Sequence, residues 1–409
     1  MHPRFHAGII VCLFVLVTGT MTAVEVNEVV STPRVFSVSP GVLPAMQARV
    51  RAKDAALLPA FRKLTNDANR ARTVTPSSVM EKPRAGASGD KHDYLSQAPY
   101  YWPDPAKPDG RPYLRRDGHR NPESGDEHSD APRLGRMANT AGTLAFAFYF
   151  SGDERYAAHA AKVLRVWFLN PDTRMNPNFD QAQAIPGVNN GRGIGMIESR
   201  SLMEVCDAVG LIASSTNWAR ADDAAMQQWM RAFLDWTQTS RNGRDERTAK
   251  NNHGSWYDAQ VTHLALFSGE TNLARRIVES AKTNRIAVQF KPDGSQPLEL
   301  AREDSFGYSR FNLSALFTLA TRGEHVGVDL WHFASTNGAS LRRGLDFLLP
   351  YAEQPDKEWP HERGKKEKRD LEPLLRTAVA IYHDERFLRL LNKDASTKNA
   401  REVLLIPLK

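Results

Sequence analysis

The chain has 409 residues, of which 41% are hydrophobic and 25% are charged, and its formal net charge is +7. This composition is typical of a globular protein with a large core and argues against general disorder. The excess of basic residues favours an anionic partner. A basic helix and an aromatic ribonucleoprotein pattern are both missing from the sequence, which argues against nucleic acid as that partner.

The first 23 residues have the pattern of a secretory signal peptide. A basic start is followed by an apolar run from Ala7 to Val17 and by small residues that end at Ala23, which is the order found before a cleavage site. The run is too short for a stable transmembrane span, although an uncleaved anchor stays open as an alternative. We therefore predict that residues 1–23 are removed and that the protein is periplasmic or secreted, without a membrane anchor.

A linker is predicted over residues 24–42, and helical periodicity then runs from about Leu43 to Asn69. From residue 73 to 132 the periodicity stops, and the chain is rich in proline, glycine, aspartate and aromatic residues. A loop of this length is uncommon in a compact domain unless it is functional or disordered. Its four tyrosines and one tryptophan argue against disorder. We predict an ordered, irregular segment that lines or covers a site.

Amphipathic segments recur from Arg133 onward, and short connections separate them. Their predicted bounds are 133–150, 153–169, 195–213, 219–240, 253–267, 271–290, 307–321, 340–354 and 368–393. The alternation typical of strands is nearly absent. Antiparallel helix pairs without a sheet predict an all-α fold, an α/α toroid or incomplete α/α barrel, over residues 43–395, followed by a tail at 396–409. An irregular helical bundle or a solenoid stays open on periodicity alone.

Two stretches concentrate polar side chains at the start of predicted helices. The first, NNHGSWY, contains Asn251, Asn252, His253 and Tyr257. The second, ELAREDSFGYSRFN, begins at Glu299 and contains Arg302 and Tyr308. Side chains at such junctions project from a rigid scaffold, and active sites are often built in this way.

Several common chemistries have little support in this chain. It has two cysteines, no His-Glu-x-x-His motif and no Gly-x-Ser-x-Gly motif, so we expect no metal site, no cofactor and no serine hydrolase elbow. Glycoside hydrolases use two carboxylates. Candidates for that role are Glu198, Glu299, Glu303 and Asp304, but no pair of them dominates an obvious site.

Tyrosine, histidine, arginine and asparagine suit a β-elimination from a polyuronate. The C5 hydrogen of a uronate is very weakly acidic, because its removal adds negative charge beside a carboxylate. An amide, an imidazole and a guanidinium can neutralise that carboxylate. A tyrosine can then move the protons if a nearby positive charge lowers its pKa from about 10. Arg302, six residues before Tyr308, is the expected source of that charge.

The stretches NNHGSWYDAQ, ELAREDSFGYSRFNLSAL and YLSQAPYYWPDP together resemble the alginate-lyase domain family. The resemblance covers about residues 45–390 and is closest to polysaccharide lyase family 38, with family 5 more distant. The family 5 motif continues as His-Ser-Tyr-Trp, whereas this chain has His253, Gly254, Ser255 and Trp256. The resemblance therefore leaves glucuronan open as a substrate beside alginate or polymannuronate.

The resemblance implies an exported α/α toroid that cleaves a 1,4-linked polyuronate by β-elimination, without an obligatory metal, and leaves a 4,5-unsaturated uronate. It implies that Asn252 and His253 lie at the substrate carboxylate, that Arg302 assists them, and that Tyr308 is the general base and acid. Tyr257, four residues after His253, is a rival for Tyr308 because residues at that spacing share a helix face.

Further residues are predicted to bind the polymer. Aromatic side chains can stack on sugar rings and arginines can bind neighbouring uronates, and a Gly-rich turn that enters a helix can bind an anion. The predicted substrate-binding residues are Tyr100, Tyr101, Trp102, Arg115, Arg116, Arg200, Asn251 and Tyr257.

Two alternatives remain open on the sequence. A glycoside hydrolase on the same toroid would use a carboxylate pair, with Glu198 and Glu303 as first candidates. A non-catalytic protein that binds acidic polysaccharides would use the aromatic residues and arginines without turnover.

Overall fold

The computed structural model describes residues 33–354, 356–361, 369–393 and 401–408. The predicted signal peptide, the first part of the predicted linker and the first part of the predicted tail lie outside these ranges and stay predictions. Within the described residues, the helices are neither long nor apolar enough for any of them to span a membrane.

Helices form most of the described chain. They are α1 (Val42–Arg51), α2 (Leu58–Ala71), α3 (Ala131–Ser151), α4 (Glu154–Leu164), α5 (Ser201–Ile212), α6 (Arg220–Thr239), α7 (Arg241–Thr248), α8 (Asn252–Phe267), α9 (Thr271–Ala281), α10 (Ala287–Gln289), α11 (Pro297–Leu300), α12 (Ser305–Glu324), α13 (Leu341–Glu353), α14 (Glu372–Tyr382), α15 (Glu385–Asn392) and α16 (Glu402–Leu405). One-turn π-helical stretches, Arg165–Leu169 and Lys282–Ile286, continue α4 and α9.

Four short strands form two small sheets. Strand β1 (Leu95–Gln97) pairs in parallel with β4 (Gln181–Ala184), and β2 (Tyr101–Trp102) pairs antiparallel with β3 (Leu114–Arg115). Three of these strands lie in the segment 73–132, which also contains the 3-10 turns Val79–Glu81 and Pro122–Gly125. The segment is therefore ordered, and its backbone hydrogen bonds fix the positions of its aromatic side chains.

The longer helices pack in an inner and an outer row. In the inner row α3 contacts α5, α5 contacts α8, and α8 contacts α12, while α4, α6, α9 and α13 pack against this row from outside. Helix α8 is buried along almost its whole length, as expected of a helix enclosed by neighbours on all sides. Buried apolar side chains of these helices form one core cluster. This is the predicted arrangement of helix pairs.

Capping residues decide where the two polar stretches become helical. Asn251 precedes α8, and its side-chain Oδ1 accepts a hydrogen bond from the backbone N–H of His253 at 3.3 Å. Asp304 precedes α12, and its Oδ1 accepts one from the backbone N–H of Gly307 at 2.7 Å. Such caps satisfy backbone donors that a helix leaves unpaired at its start. Both polar stretches thus lie at helix N-termini, where the helix dipole favours negative charge.

The observed helices differ from the predicted ones at several places, of which three show the physical reason. The predicted helix 43–69 breaks between α1 and α2, where Lys53 adopts a left-handed conformation with φ of 58°. The predicted helix 368–393 divides into α14 and α15 at His383, which also has a positive φ. Helix α7 was not predicted, because its residues are almost all polar and leave no apolar stripe to detect.

Candidate active site

The two polar stretches meet at the buried carboxylate of Glu299. The backbone N–H of Asn252 donates to Glu299 Oε1 at 2.6 Å, and its Nδ2 donates to Oε2 at 2.8 Å. Burial raises the pKa of Glu299, while the bonds from Asn252 and the positive charges of Arg302 and His253 oppose this shift. Asn252, His253 and Arg302 therefore lie around one buried carboxylate of the protein, and their predicted action on the substrate carboxylate stays a prediction.

Asn252 is fully buried. Its amide nitrogen is used by Glu299, and its Oδ1 is buried without a hydrogen-bond partner among the described residues. A buried acceptor without a partner is costly, but an amide oxygen cannot donate to a carboxylate, so a contact with the substrate carboxylate would have to use the second N–H of Nδ2. The predicted contact of Asn252 with the substrate carboxylate stays a prediction.

His253 is oriented by a second buried carboxylate. Its Nδ1 lies 2.7 Å from Oε1 of Glu246, a residue of α7 with 1% of its surface exposed. A carboxylate accepts the Nδ1 proton, which fixes the tautomer and turns Nε2 outward. His253 Nε2 has no hydrogen-bond partner among the described residues, so this atom is free to meet a ligand.

Arg302 is held by a carboxylate from the irregular segment. Its Nε and Nη2 donate to the two oxygens of Asp117, each at 2.8 Å. The bidentate bond from Arg302 lowers the pKa of Asp117 to about 2, so Asp117 is ionised at neutral pH. This geometry fixes the plane of the guanidinium. The same guanidinium lies over the ring of Tyr308, 3.6 Å from its centroid.

Tyr308 completes the cluster formed by Asn252, His253, Glu299 and Arg302, and it supplies a hydroxyl group. Its Oη donates to Oη of Tyr100 at 2.9 Å. Burial raises the pKa of Tyr308, the bond to Tyr100 raises it further, and the charge of Arg302 lowers it. The net direction is upward, so the prediction that Arg302 would lower the pKa of Tyr308 is wrong as a net effect. Arg302 lies beside Tyr308, but its charge lowers the pKa of Tyr308 by less than the loss of hydration raises it.

The irregular segment supplies both contacts to this cluster. Tyr100 reaches Tyr308, and Asp117 reaches Arg302 and also accepts from Arg115 Nη2 at 2.9 Å. Tyr100 and Arg115, both predicted to bind substrate, therefore belong to the site. Their own contact with substrate stays a prediction.

The other predicted binding residues of this segment, Tyr101, Trp102 and Arg116, make cation–π contacts, Trp102 and Arg116 with each other and Tyr101 with Arg192 from outside the segment. The guanidinium of Arg116 lies 5.6 Å from the ring centroid of Trp102, whose Nε1 donates to the backbone oxygen of His119 at 2.8 Å. The guanidinium of Arg192 lies 5.1 Å from the ring centroid of Tyr101. Cation–π contacts of this kind hold the aromatic rings in fixed positions.

Tyr257 is not joined to the cluster by any contact described here. It is 2% exposed, and its hydroxyl donates to the backbone oxygen of Thr237 on α6 at 3.1 Å. Burial raises its pKa to about 12. The upward pKa shift is shared with Tyr308, but full burial and a bond to a backbone oxygen are the features of a packed core tyrosine and favour Tyr308 for proton transfer.

The two carboxylates named as first candidates for hydrolysis, Glu198 and Glu303, have other surroundings. Glu198 is buried and accepts from Tyr94 Oη at 2.8 Å and from Ser96 Oγ at 2.6 Å. Glu303 is exposed. Among the described residues, no three His, Cys, Asp or Glu side chains are grouped so that they could hold a metal ion.

A family model described as alginate lyase matches residues 78–359, which is more than half of the chain. The chain belongs to the alginate lyase family. It is also similar to the crystal structure of an alginate lyase from Bacteroides ovatus, with 38% sequence identity and a TM-score of 0.87, over 92% of this chain and 100% of that one. A comparison with curated proteins gave no match.

Two solved structures of alginate lyase A1-III, an enzyme from Sphingomonas species A1, share the fold at lower identity. Both are complexes with a tetrasaccharide; one carries a histidine-to-alanine and the other a tyrosine-to-phenylalanine substitution. The first has 17% identity and a TM-score of 0.61 over 94% of this chain and 98% of that one. The second has 18% identity and the same TM-score over 93% and 98%.

Family membership confirms three predictions. The fold is an all-α toroid, the protein is a polysaccharide lyase, and its partner is an anionic polysaccharide. The glycoside hydrolase and the non-catalytic binding protein are thereby set aside.

Two residues of the site were not found from the sequence. Asp117 and Glu246 carry no local signal, because each acts on a residue of another element.

We expect Asp117→Asn to lower kcat about 10-fold, because an amide replaces one acceptor of the bidentate pair by a donor and lets the Arg302 plane turn away from Tyr308. Steady-state kinetics on a uronate polymer measures this. A matched control is Asp67→Asn on α2, where the carboxylate also pairs with a cation, Lys63, at 2.8 Å. Equal kinetics of the two variants would contradict a positioning role of Asp117.

Proposed function

We propose that the protein cleaves a 1,4-linked polyuronate by β-elimination, with alginate or polymannuronate as the first substrate and glucuronan as the second. The observation that carries this proposal is the guanidinium of Arg302, 3.6 Å from the ring centroid of Tyr308 and fixed by Asp117. The surplus of positive charge in the chain, +7, also favours a polyanion. We further propose that the protein acts after export, in the periplasm or outside the cell.

The first requirement of the reaction is to neutralise the carboxylate beside C5. His253 Nε2 points away from Glu246 and, when protonated, donates a charged hydrogen bond to that carboxylate. Arg302 adds a fixed positive charge nearby. As the C5 proton leaves, negative charge moves onto the carboxylate oxygens, and donors already in place stabilise it without reorganisation.

Tyr308 performs the proton transfers. Its raised pKa means that it carries its proton at neutral pH, so it can act as the acid that protonates the leaving O4. In a syn elimination C5–H and O4 lie on one side of the sugar ring, so one hydroxyl oxygen reaches both. To act as the base, Tyr308 first gives up its own proton, and the positive charge of Arg302 stabilises the phenolate. The phenolate takes the C5 proton, the phenol so formed gives a proton to O4, the C4–O4 bond breaks, and the C4=C5 double bond forms. Tyr308 ends the cycle as the phenolate.

An ultraviolet assay tests this function and names the substrate. Purified mature protein is incubated separately with polymannuronate, polyguluronate and glucuronan, and absorbance of the conjugated double bond is followed. We expect a rise with polymannuronate or glucuronan. New reducing ends without absorbance would show hydrolysis, and neither signal with any polymer would contradict the proposed substrate class.

A further inference from the structure

A second cationic group lies between the two helices that carry the site. Arg200 ends the 3-10 turn Gly193–Arg200, just before α5. Its guanidinium carbon lies 4.9 Å from the ring centroid of Trp256 on α8 and 4.8 Å from that of Phe311 on α12. The two aromatic rings hold the guanidinium in a fixed place.

The guanidinium of Arg200 has unused donors. Its Nε donates to the backbone oxygen of Ile197 at 2.9 Å, and its two terminal nitrogens have no hydrogen bond or ion pair with any residue that the structure describes. Burial lowers the pKa of Arg200 to about 10, and the charge of Glu198 opposes that shift. A partly buried cation without a bonded carboxylate is unusual, because water that would hydrate it has been removed.

The neighbouring indole provides an independent observation. Nε1 of Trp256 is buried and has no hydrogen-bond partner within the described residues. A buried indole N–H usually finds an acceptor. Arg200 and Trp256 are thus neighbours that both have unused donors, and the described part of the chain supplies no acceptor for the terminal nitrogens of Arg200 or for the indole N–H.

The position of this pair relates it to the reaction. Trp256 follows His253 by three residues on α8, and Phe311 follows Tyr308 by three residues on α12. Three residues are almost one helical turn. The rings of Trp256 and Phe311 that hold Arg200 therefore lie about 5 Å further along their helices than His253 and Tyr308. This distance is comparable to the length of one pyranose unit in a polymer.

We propose that Arg200 and the indole N–H of Trp256 bind the carboxylate of the uronate next to the one that loses its C5 proton. The inference rests on the proposed function and adds a subsite to it. A guanidinium offers two parallel N–H groups that match a carboxylate, and a neutral sugar at this place would leave the cation without its partner. The subsite therefore selects polymers with uronates at consecutive positions.

The test uses uronate oligomers of two to five sugars, cleaved by the wild type and by Arg200→Gln. In the wild type, kcat/KM rises sharply at the length whose added sugar reaches Arg200. We expect Arg200→Gln to lose that rise, about 10-fold or more, and to match the wild type on the shorter oligomers. Trp256→Phe, which keeps an aromatic ring, should lose part of the same rise. A second series with the added sugar reduced to a neutral hexose should show no rise in either protein.

Two further variants and the remaining outcomes complete the design. Arg200→Lys keeps the positive charge but loses the two parallel N–H groups, so its kcat/KM should rise with oligomer length by an intermediate factor. This variant keeps the test usable if Arg200→Gln does not fold. Arg155→Gln, at an exposed ion pair with Asp153, should behave as the wild type. A loss by the same factor at every length would assign Arg200 a purely structural role and overturn the subsite. If the wild type makes no unsaturated product from any polymer, the proposed function fails and the subsite with it.

Discussion

Replacing Tyr308 by phenylalanine is expected to lower kcat about a thousandfold, with little change in folding. The substitution removes one hydroxyl and keeps the ring on which the Arg302 guanidinium lies at 3.6 Å. General acid–base groups typically contribute factors of 100 to 10,000, and here one hydroxyl serves both proton transfers. Ultraviolet assays at saturating polymer measure kcat, and thermal unfolding checks the fold.

Two tyrosine-to-phenylalanine variants serve as controls. Tyr100→Phe removes the acceptor of the Tyr308 hydroxyl bond at 2.9 Å but leaves the reacting hydroxyl, so we expect a loss of about 10-fold. Tyr257→Phe removes a buried hydroxyl bonded to Thr237 and should leave kcat nearly unchanged. If Tyr257→Phe were inactive and Tyr308→Phe active, the assignment of the proton-transfer residue would be reversed.

The helical part of the fold was predictable, because helices packed on one side carry a visible apolar stripe. Helices α3, α6, α8 and α13 were placed within about two residues of their observed bounds. What the sequence hides is local backbone geometry. The left-handed conformation at Lys53 ends α1, and neither a glycine nor a proline marks that position.

Some residues of the site are visible in a local sequence pattern, whereas others depend on partners that are distant in the chain. Asn252, His253, Arg302 and Tyr308 stand out in the sequence because each lies at or near a helix start within a short polar stretch, and their catalytic roles, which the resemblance implies, stay predictions. Asp117 does not stand out, since its partner Arg302 is 185 residues away in the chain and no pattern connects them. The direction of the Tyr308 pKa shift was also missed, because burial depends on packing that the spacing of two residues does not reveal.

Three of the predicted groups at the site are each held by a different carboxylate. Glu246 binds His253, Glu299 binds Asn252, and Asp117 binds Arg302. These carboxylates keep cationic and amide groups in place at a site that must receive a polyanion. A mobile histidine or arginine would have to lose side-chain entropy when substrate binds. Because the carboxylates already fix these donors, the donors stabilise the transition state without a further loss of side-chain entropy.

We therefore expect His253→Ala to lower kcat about 100- to 1000-fold, the loss typical of one preorganised donor to a developing oxyanion. Glu246→Gln should lower kcat less, about 10-fold, because the amide oxygen still accepts from Nδ1 while the fixed negative charge is gone. Kinetics of both variants and of the double variant measure the coupling. If Glu246 acts only through His253, Glu246→Gln adds no further loss to His253→Ala. A full additional 10-fold loss in the double variant would show instead that Glu246 supports the site through the packing of α7.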